Sequence, residues 1–268
     1  MTGGAAAAAR DEVVARLRSA GCVWAEDEAD ELLAAADDGA PLDDLVTRRV
    51  AGEPLEQVVG FASFGGLRVA VAPGVFVPRR RTELLVEVAA VLARPRAVVL
   101  DLCCGTGALG AALLARLGPG AVLHAADRDP AAVECARRNV PPGSAVYCGD
   151  LFDPLPGALR GSVDLLLANA PYVPSGEIAL LPPEARLHEN RLALDGGADG
   201  LDVHRRIAAA APRWLAPGGT LLIEVGDVQR DRARALLEDA GLEVREHADT
   251  DRDAAGGVVL TATRPRPT

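Results

Sequence analysis

The stretch AVVLDLCCGTGALG at residues 97–110 decides the fold of this chain. Residues 97–100 form a short apolar run that predicts a buried strand, and the apolar residues from Ala108 onward predict a helix. The glycines between them let the backbone turn tightly and approach a ligand, and the start of the following helix offers free N–H groups. A strand, a glycine-rich turn and a helix in this order predict the first unit of a parallel sheet with a ligand site at its carboxyl edge.

Strands and helices go on alternating after this unit, which is typical of a parallel sheet with helices on both faces. Strands are predicted at residues 97–100, 122–126, 145–147, 164–168, 220–225, 242–244 and 258–261. Helices are predicted at residues 108–117, 130–139, 203–214 and 230–240. Because these segments show no repeated pattern, we expect one doubly wound α/β domain.

The first 59 residues have a different character. Apolar residues recur at helical spacing in stretches separated by glycine and proline, which predicts a small helical domain. Residues 1–58 contain five arginines and thirteen acidic residues, so most of the net charge of −10 lies here. Such a surface fits either a solvated cap or a docking surface for a basic or mixed-charge partner. Residues 1–9 lack the basic region and long apolar core of a signal peptide and are predicted to be a loose terminus.

Residues 60–82 are predicted to be a hairpin linker to the larger domain at residues 83–268. Runs with β propensity flank Gly65-Gly66, which indicates a tight turn. Thr82 is predicted to cap the helix that follows it. The three arginines at 79–81 fit either a solvated turn or a site that faces a carboxylate or phosphate.

Composition bears on partners and compartment. The net charge of −10 argues against broad electrostatic binding to nucleic acid. No window is long and apolar enough to span a bilayer. The five cysteines, two of them adjacent at Cys103-Cys104, form neither a disulfide framework nor a CxxC metal motif, so we expect a reducing cytoplasm and no metal.

A second stretch, VDLLLANAPY at residues 163–172, predicts an acceptor site. Its apolar run is typical of a strand in the middle of a parallel sheet, so Asn169 should lie at the carboxyl edge, where such sheets bind ligands. The Asn169 side chain and the Ala170 carbonyl can accept hydrogen bonds from an NH2 group, and Tyr172 can pack beside it. The stretch predicts a clamp for an amide or an aromatic amine, with an ordinary proline-containing turn as the alternative.

The glycine-rich turn fits two kinds of cofactor. Gly105, Gly107 and Gly110 satisfy G-x-G-x-x-G, and Asp127 follows 20 residues after Gly107, as in dinucleotide-binding proteins. Asp101, at the tip of its strand, would repel a pyrophosphate but could receive an ammonium group directly or through water.

Acidic residues after three strands favour S-adenosylmethionine. Asp127 is placed to meet the ribose hydroxyls and Asp150 to lie beside the adenine, and with Asp101 they make a site suited to a cation. A nicotinamide dehydrogenase is the alternative, although the chain contains no lysine for a catalytic Tyr–Lys pair.

With these motifs, the chain resembles the PrmC/HemK family of glutamine methyltransferases, which modify peptide chain release factors. The matching segments are RRVAGEPL at 48–55, VPRRRTEL at 77–84, DLCCGTG at 101–107, LALDGGADGL at 192–201, and NAPY at 169–172, where the family has Asn-Pro-Pro-Tyr. The resemblance implies a seven-stranded, Rossmann-like class I methyltransferase domain dependent on S-adenosylmethionine. It also implies a β-hairpin linker and an N-terminal helical domain that helps to recruit a protein substrate.

The resemblance further implies the reaction: a methyl group passes to the side-chain amide nitrogen of a glutamine, with a release factor as the candidate substrate. The protein is expected to be a cytoplasmic monomer without stable nucleic-acid or membrane partners. The catalytic residues predicted are Asn169, Ala170, Pro171 and Tyr172. The cofactor-binding residues predicted are Asp101, Cys103, Gly105, Thr106, Gly107, Asp127, Arg128, Asp150, Leu151 and Asn169. The substrate-binding residues predicted are Arg79, Thr82, Glu83, Asn169, Pro171, Tyr172 and Glu189.

Several positions depart from the family's pattern. Ala170 replaces the first proline of the motif but keeps the backbone carbonyl, so we expect the chemistry to survive. The other departures are Val58, Arg80, Asn190 and the stretch at 249–257. They bear on the substrate more than on the reaction and indicate a diverged relative. Methylation of a nucleobase exocyclic amine, methylation of another small-molecule or peptide amide, and a non-catalytic binding module are the alternatives.

Overall fold

The computed structural model of the chain describes residues 3–37, 39–247 and 257–267. Its amino-terminal part forms the helices α1 Gly3–Ser19, α2 Ala25–Asp37, α3 Leu42–Val50 and α4 Leu55–Val59. These helices pack around a shared apolar cluster that includes Leu17, Leu32 and Val46. The predicted helices are therefore confirmed. The prediction of a loose terminus is wrong from Gly3 onward, because the alanine run has high helix propensity.

The hairpin predicted in the linker forms from β1 Phe61–Phe64 and β2 Leu67–Ala70, which pair antiparallel. Gly65, in its turn, has a φ of +58°, and a Cβ there would come within 2.7 Å of the Ala112 Cβ. The turn therefore requires glycine both for its backbone conformation and for its close approach to a helix of the larger domain.

A 3-10 turn at Arg80–Thr82 leads from the linker into α5 Glu83–Leu92. Thr82 makes no side-chain capping bond to this helix, so its predicted role as a cap is wrong. The 3-10 turn ends directly at Glu83, and the Thr82 hydroxyl lies instead beside Asn169.

The larger domain is built on a seven-stranded sheet in the order β5-β4-β3-β6-β7-β9-β8. The strands are β3 Val98–Leu102, β4 Val122–Asp127, β5 Ala145–Cys148, β6 Val163–Ala168, β7 Leu215–Gly226, β8 Glu243–His247 and β9 Gly257–Thr263. The longer helices are α6 Ala108–Leu117, α7 Pro130–Asn139, α9 Asp202–Trp214 and α10 Arg230–Asp239. Within the described sheet, β9 runs antiparallel to the other six strands. The predicted seven-stranded, Rossmann-like methyltransferase fold is confirmed.

Both faces of the central strands are buried, which explains their nearly continuous apolar sequences. Leu100 and Leu166 pack on one face, in the cluster that contains residues of α9 and α10. Val99 and Leu167 pack on the other face, in the cluster that contains residues of α5 and α6. In sheets of this kind, ligands bind at the carboxyl edge of the strands.

The centre of the sheet brings the two informative stretches of the sequence together. Leu102 at the end of β3 pairs with Ala168 at the end of β6 and with Ala126 of β4. Because these parallel strands end side by side, the loops at 103–107 and 169–172 open at the same edge. The winding of the sheet reverses between β3 and β6, which is where open α/β sheets bind ligands.

Two elements differ from the prediction. A short helix, α8 Pro183–His188, lies between β6 and α9 and has no periodic apolar pattern that would predict it. Strand β7 begins at Leu215, whereas the predicted strand began at residue 220. The prediction missed its first part because Pro217 and Gly218 are residues typical of turns. The divergent stretch at 249–257 lies outside the described residues except for Gly257, the first residue of β9. Among the described residues, no helix has the length and apolar character to cross a membrane.

Candidate active site

A cavity of about 930 Å³ opens at the carboxyl edge of the sheet. Its walls come from the loops after β3, β4, β5 and β6, from the segments around residues 74–82 and 181–197, and from the start of α4. It brings together most of the predicted residues: Arg79, Thr82, Cys103, Gly105, Thr106, Asp127, Arg128, Asp150, Leu151, Asn169, Ala170, Pro171, Tyr172 and Glu189. Asp101, Gly107 and Glu83 do not line it.

Asp127 anchors the glycine-rich loop. Its Oδ2 accepts from the Gly105 N–H and its Oδ1 from the Asp129 N–H, each at 2.9 Å. Burial raises the pKa of the Asp127 carboxyl, and these two backbone bonds oppose the rise. Each oxygen keeps a second lone pair, so the carboxylate can still accept from ligand hydroxyls, which is the chemistry that a ribose requires.

Asp101 lies behind this loop, not on the cavity wall. It is 1% exposed, and its Oδ2 accepts from the Gly110 N–H at 3.0 Å. Burial raises the pKa of Asp101 to about 7, and the negative charge of Asp127 contributes to the rise. The structure therefore does not place Asp101 on the cavity wall, so the prediction that it receives an ammonium group directly is not supported.

Gly107 also lies off the cavity wall, for a backbone reason. It has a φ of +75°, and a Cβ there would lie 3.1 Å from the Ala136 Cβ of α7. Gly107 thus lets the start of α6 pack against α7, while Gly105 and Thr106 form the cavity surface.

Asp150 and Leu151 form the end of the cavity beyond Asp127. Asp150 accepts two hydrogen bonds from Arg206 of α9, at 2.7 and 3.2 Å. Hydrogen bonding to Arg206 lowers the pKa of Asp150. Arg128 lines the same region. The acidic character predicted for this end is thus partly balanced by arginines.

The segment Asn169–Tyr172, which we call the clamp, lines the side of the cavity that is predicted to bind the acceptor. Asn169 follows β6 directly, and its Nδ2 lies 3.5 Å from the Thr82 Oγ1, at the long limit of a hydrogen bond. The Gln229 Nε2 donates to the Tyr172 carbonyl at 2.7 Å and fixes the end of the segment. With its amide nitrogen turned to Thr82, Asn169 leaves Oδ1 as an acceptor.

The Tyr172 hydroxyl belongs to a closed network. Arg81 donates from Nη2 to the Tyr172 Oη at 2.6 Å and from Nε to the Glu224 Oε1 at 3.1 Å, and the hydroxyl donates to the same Oε1 at 3.3 Å. Burial and the Glu224 charge raise the pKa of Tyr172 to about 12. Tyr172 therefore keeps its proton at neutral pH.

The arginine run at 79–81 faces carboxylates, but these are the protein's own. Arg79 donates to the Glu189 Oε1 at 2.7 Å, and Arg81 pairs with Glu224. The Glu189 Oε1 also accepts from the Val77 N–H at 3.1 Å, and burial raises the pKa of this carboxyl. These contacts fix the linker against the larger domain along the cavity wall.

Asn190, which departs from the family's proline, connects the two sides of the cavity. Its Nδ2 donates to the Asp129 Oδ2 at 2.7 Å. Asp129 precedes α7 on the predicted cofactor side, whereas Asn190 follows Glu189 on the predicted acceptor side. This departure therefore adds a contact across the cavity.

Glu83 is the substrate-binding candidate that the structure places elsewhere. Its Oε1 accepts from the Gly65 N–H of the hairpin turn at 3.1 Å. This carboxylate supports the packing of the hairpin on α5, so the prediction that it contacts substrate is not supported.

The sequence patterns miss Arg206, Gln229 and Glu224. Glu224 is nevertheless recognisable, because it is an acidic residue near the end of the apolar strand β7, the same signal that identified Asn169. Arg206 and Gln229 lie on or beside helices and carry no such signal. Their roles depend on contacts between elements that are distant in sequence.

Comparisons with known proteins show the family to which the chain belongs. A family model described as the methyltransferase small domain matches residues 66–181. The chain is 38% identical over 268 residues to a release factor glutamine methyltransferase of Bradyrhizobium diazoefficiens, with 91% of this chain and 90% of that protein covered. It is 39% identical over 229 residues to a 4-amino-L-phenylalanine/4-methylamino-L-phenylalanine methyltransferase of Streptomyces pristinaespiralis, with 82% and 76% covered.

Among solved structures, the chain is similar to a 16S rRNA N2 methyltransferase of T. thermophilus in complex with AdoMet and guanosine. The TM-score is 0.55 at 21% identity, and the match covers 76% of this chain and 49% of that one. At this identity the likeness concerns the fold.

Proposed function

Since the chain belongs to the family of release factor glutamine methyltransferases, we propose that it transfers the methyl group of S-adenosylmethionine to the side-chain amide nitrogen of a glutamine in a peptide chain release factor. The observation that carries the proposal is the position of Asn169. Its strand end pairs with the end of β3, so the acceptor clamp begins beside the glycine-rich loop within one cavity. A methyl donor bound at the glycine-rich loop and an acceptor amide bound at the clamp would therefore lie side by side in this cavity.

The residues on the cofactor side fit S-adenosylmethionine. Burial raises the pKa of both Asp101 and Asp127, so each carboxylate would be stabilised by a positively charged group bound at this end of the cavity. Asp127 would hold the ribose hydroxyls, the Gly105–Thr106 backbone would approach the cofactor closely, and Asp150 with Leu151 would border the adenine. When bound, the cofactor supplies a methyl group on a sulfonium, which is open to attack by a nitrogen nucleophile.

The clamp would orient the acceptor. An amide nitrogen is a poor nucleophile because its lone pair is delocalised into the carbonyl. Hydrogen bonds from its NH2 group to the Asn169 Oδ1 and the Ala170 carbonyl would fix its direction and raise its electron density. Ala170 can do this as well as proline, since only its carbonyl takes part.

Positioning accounts for most of the rate in this scheme. Near-attack geometry can supply about 7–11 kcal/mol of the barrier, whereas a general base typically contributes about 10²- to 10⁴-fold. Within the clamp, Tyr172 is protonated at neutral pH because its pKa is about 12. We therefore propose that the proton leaves to water during or after methyl transfer.

We further propose that residues 1–59 recruit the protein substrate, that 60–82 form the linker and that 83–268 form the catalytic domain. The acidic N-terminal helices and the lining of the cavity by Pro54 and Glu56 support this division. We propose a monomer in the cytoplasm, and the five free cysteines support a reducing compartment.

The test uses the acid lability of a methylated amide. The purified protein is incubated with S-adenosylmethionine labelled in its methyl group and with a purified release factor. The product is hydrolysed in acid, and the hydrolysate is made alkaline to release amines. We expect labelled, volatile methylamine, because hydrolysis of N5-methylglutamine gives glutamate and methylamine. Label that enters the protein but stays non-volatile would exclude glutamine as the acceptor.

A second candidate is methylation of a small aromatic amine. It is favoured by the similarity to the aminophenylalanine methyltransferase and by the ability of the clamp to accept from any planar NH2 group. Turnover of free 4-amino-L-phenylalanine at a higher kcat/KM than a release factor would establish it. A nucleobase acceptor is less favoured, because arginines of the cavity such as Arg79, Arg81 and Arg206 already pair with carboxylates.

A further inference from the structure

The hydroxyl group of Tyr172 is hydrogen-bonded to Glu224, a residue that does not line the cavity. Glu224 is 2% exposed and lies in β7, whereas Arg81 and Tyr172 both line the cavity. Its Oε1 accepts from the Arg81 Nε at 3.1 Å and from the Tyr172 Oη at 3.3 Å. Glu224 therefore contacts two residues of the cavity wall but does not itself line the cavity.

The Tyr172 hydroxyl has both a donor and an acceptor in this network. Arg81 donates a hydrogen bond to the Tyr172 Oη at 2.6 Å, and Glu224 accepts a hydrogen bond from the same hydroxyl. Satisfying both functions of the hydroxyl fixes where the end of the ring lies. The Gln229 side chain holds the Tyr172 carbonyl at 2.7 Å, so the residue is fixed at its backbone and at its ring.

The 3-10 turn at Arg80–Thr82 contacts both the first and the last residue of the clamp. Arg81 contacts the last residue of the clamp, and the next residue, Thr82, lies beside its first residue, Asn169. Thr82 is 1% exposed, so this contact is shielded from water. One short turn of the linker thus faces both ends of the clamp, and its arginine is oriented by Glu224.

We propose that Glu224 is a positioning residue for methyl transfer, acting through Arg81 and Tyr172 to fix the aromatic wall of the acceptor site. This inference rests on the proposed role of the clamp as that site. Glu224 does not line the cavity, so its loss should affect how the acceptor is held and leave cofactor binding unchanged.

The test compares Glu224→Gln with Tyr172→Phe and with the double variant. We expect each single variant to lose roughly 10²-fold in kcat/KM for the acceptor, the usual effect of a misplacement of about 1 Å. The double variant should lose little more than either one, because both changes break the same network. Affinity for S-adenosylmethionine, measured by calorimetry, should stay unchanged. Multiplicative losses in the double variant, or a normal kcat/KM in Glu224→Gln, would overturn the proposal.

Glu246→Gln is the control, since Glu246 lies in β8 of the same sheet and pairs with Arg230 and Arg234 of α10, but does not line the cavity. It should keep the activity of the parent protein. Thermal melts show whether each variant is folded. A Glu224→Gln protein that fails to fold is replaced by Arg81→Lys, which keeps the charge but has one ammonium nitrogen in place of the two guanidinium nitrogens that bond Glu224 and Tyr172.

A spectroscopic measurement separates this inference from the proposed function. The chain has two tyrosines, so in a Tyr147→Phe background the tyrosinate absorbance reports Tyr172. Removing the Glu224 charge leaves Arg81 beside the hydroxyl, so the pKa of Tyr172 should fall from about 12. An unchanged titration contradicts the network even if the enzyme is active. A protein that shows the shift but methylates no glutamine leaves the network intact and refutes the function.

Discussion

At the residue scale, the site was predictable where one physical signal pointed to it. Asn169 follows an uninterrupted apolar strand, so its place at the carboxyl edge could be predicted from the sequence. Asp101 shows where this reasoning ends. The sequence pattern places Asp101 at the end of a strand. The structure adds that α6 packs against Asp101 and that the Gly110 N–H donates to its carboxylate. Burial by a neighbouring element cannot be read from spacing alone.

The burial of Asp101 predicts a pH-dependent stability. Its pKa rises from 3.8 to about 7 in the folded protein, so the folded state binds this proton more tightly than the unfolded state. The stability from this group is fully present below pH 3.8 and is lost as the pH rises through about 7. Asp101→Asn, which cannot ionise, should therefore become more stable relative to the parent protein across that window.

Thermal melts of both proteins from pH 4 to pH 8, roughly the window between the two pKa values, check this prediction. Asp153→Asn, which changes an exposed carboxylate on the neighbouring loop, is the control. Melting curves for Asp101→Asn that run parallel to those of the parent protein at every pH would show that Asp101 is not buried as described.

At the element scale, strands and long helices were predictable because their apolar periodicity is imposed by the core. The hairpin was predictable from its glycine pair. Helix α8 was not, since its six residues are too few for a period and none of them is buried. The linker illustrates a further limit, because the contacts of the Arg80–Thr82 turn with the clamp join residues about 90 positions apart.

The hairpin turn gives a prediction with an internal control. Gly65 and Gly66 both have positive φ, but only at Gly65 would a Cβ meet another atom, the Ala112 Cβ at 2.7 Å. Gly66→Ala should cost about 1–2 kcal/mol for the left-handed backbone, and Gly65→Ala about 1–3 kcal/mol more because of overpacking. Urea unfolding measures both variants. Equal losses would mean that the hairpin does not approach α6 as closely as described.

At the scale of the whole molecule, ion pairs of a buried arginine connect the N-terminal helices to the larger domain. Arg49 of α3 has a side chain that is 9% exposed, and it pairs with Glu28 of α2 and with Glu184 of α8, each at 2.6 Å. Segment 181–197, which contains α8, lines the cavity, so this arginine connects the proposed recruiting helices to the acceptor side. Composition alone indicated an acidic cap but not this connection.

Arg49→Met should destabilise the protein by about 3–5 kcal/mol, because it leaves the buried Glu28 without its partner. Arg16→Met removes an exposed pair with Asp43 and should cost about 0–1 kcal/mol. Denaturant unfolding compares the two variants. Similar losses would contradict a buried connection at Arg49.

The central claim is that Asn169 holds the acceptor amide beside the methyl donor. The most direct measurement is mass spectrometry of a release factor after incubation with S-adenosylmethionine and either the parent protein or Asn169→Ala, with cofactor affinity measured in parallel. We predict one added methyl group on a glutamine side-chain nitrogen with the parent protein. With Asn169→Ala we predict a loss of more than about 10²-fold in rate and near-normal cofactor affinity. Unchanged turnover by Asn169→Ala, or a methyl group on any other atom, would contradict the account.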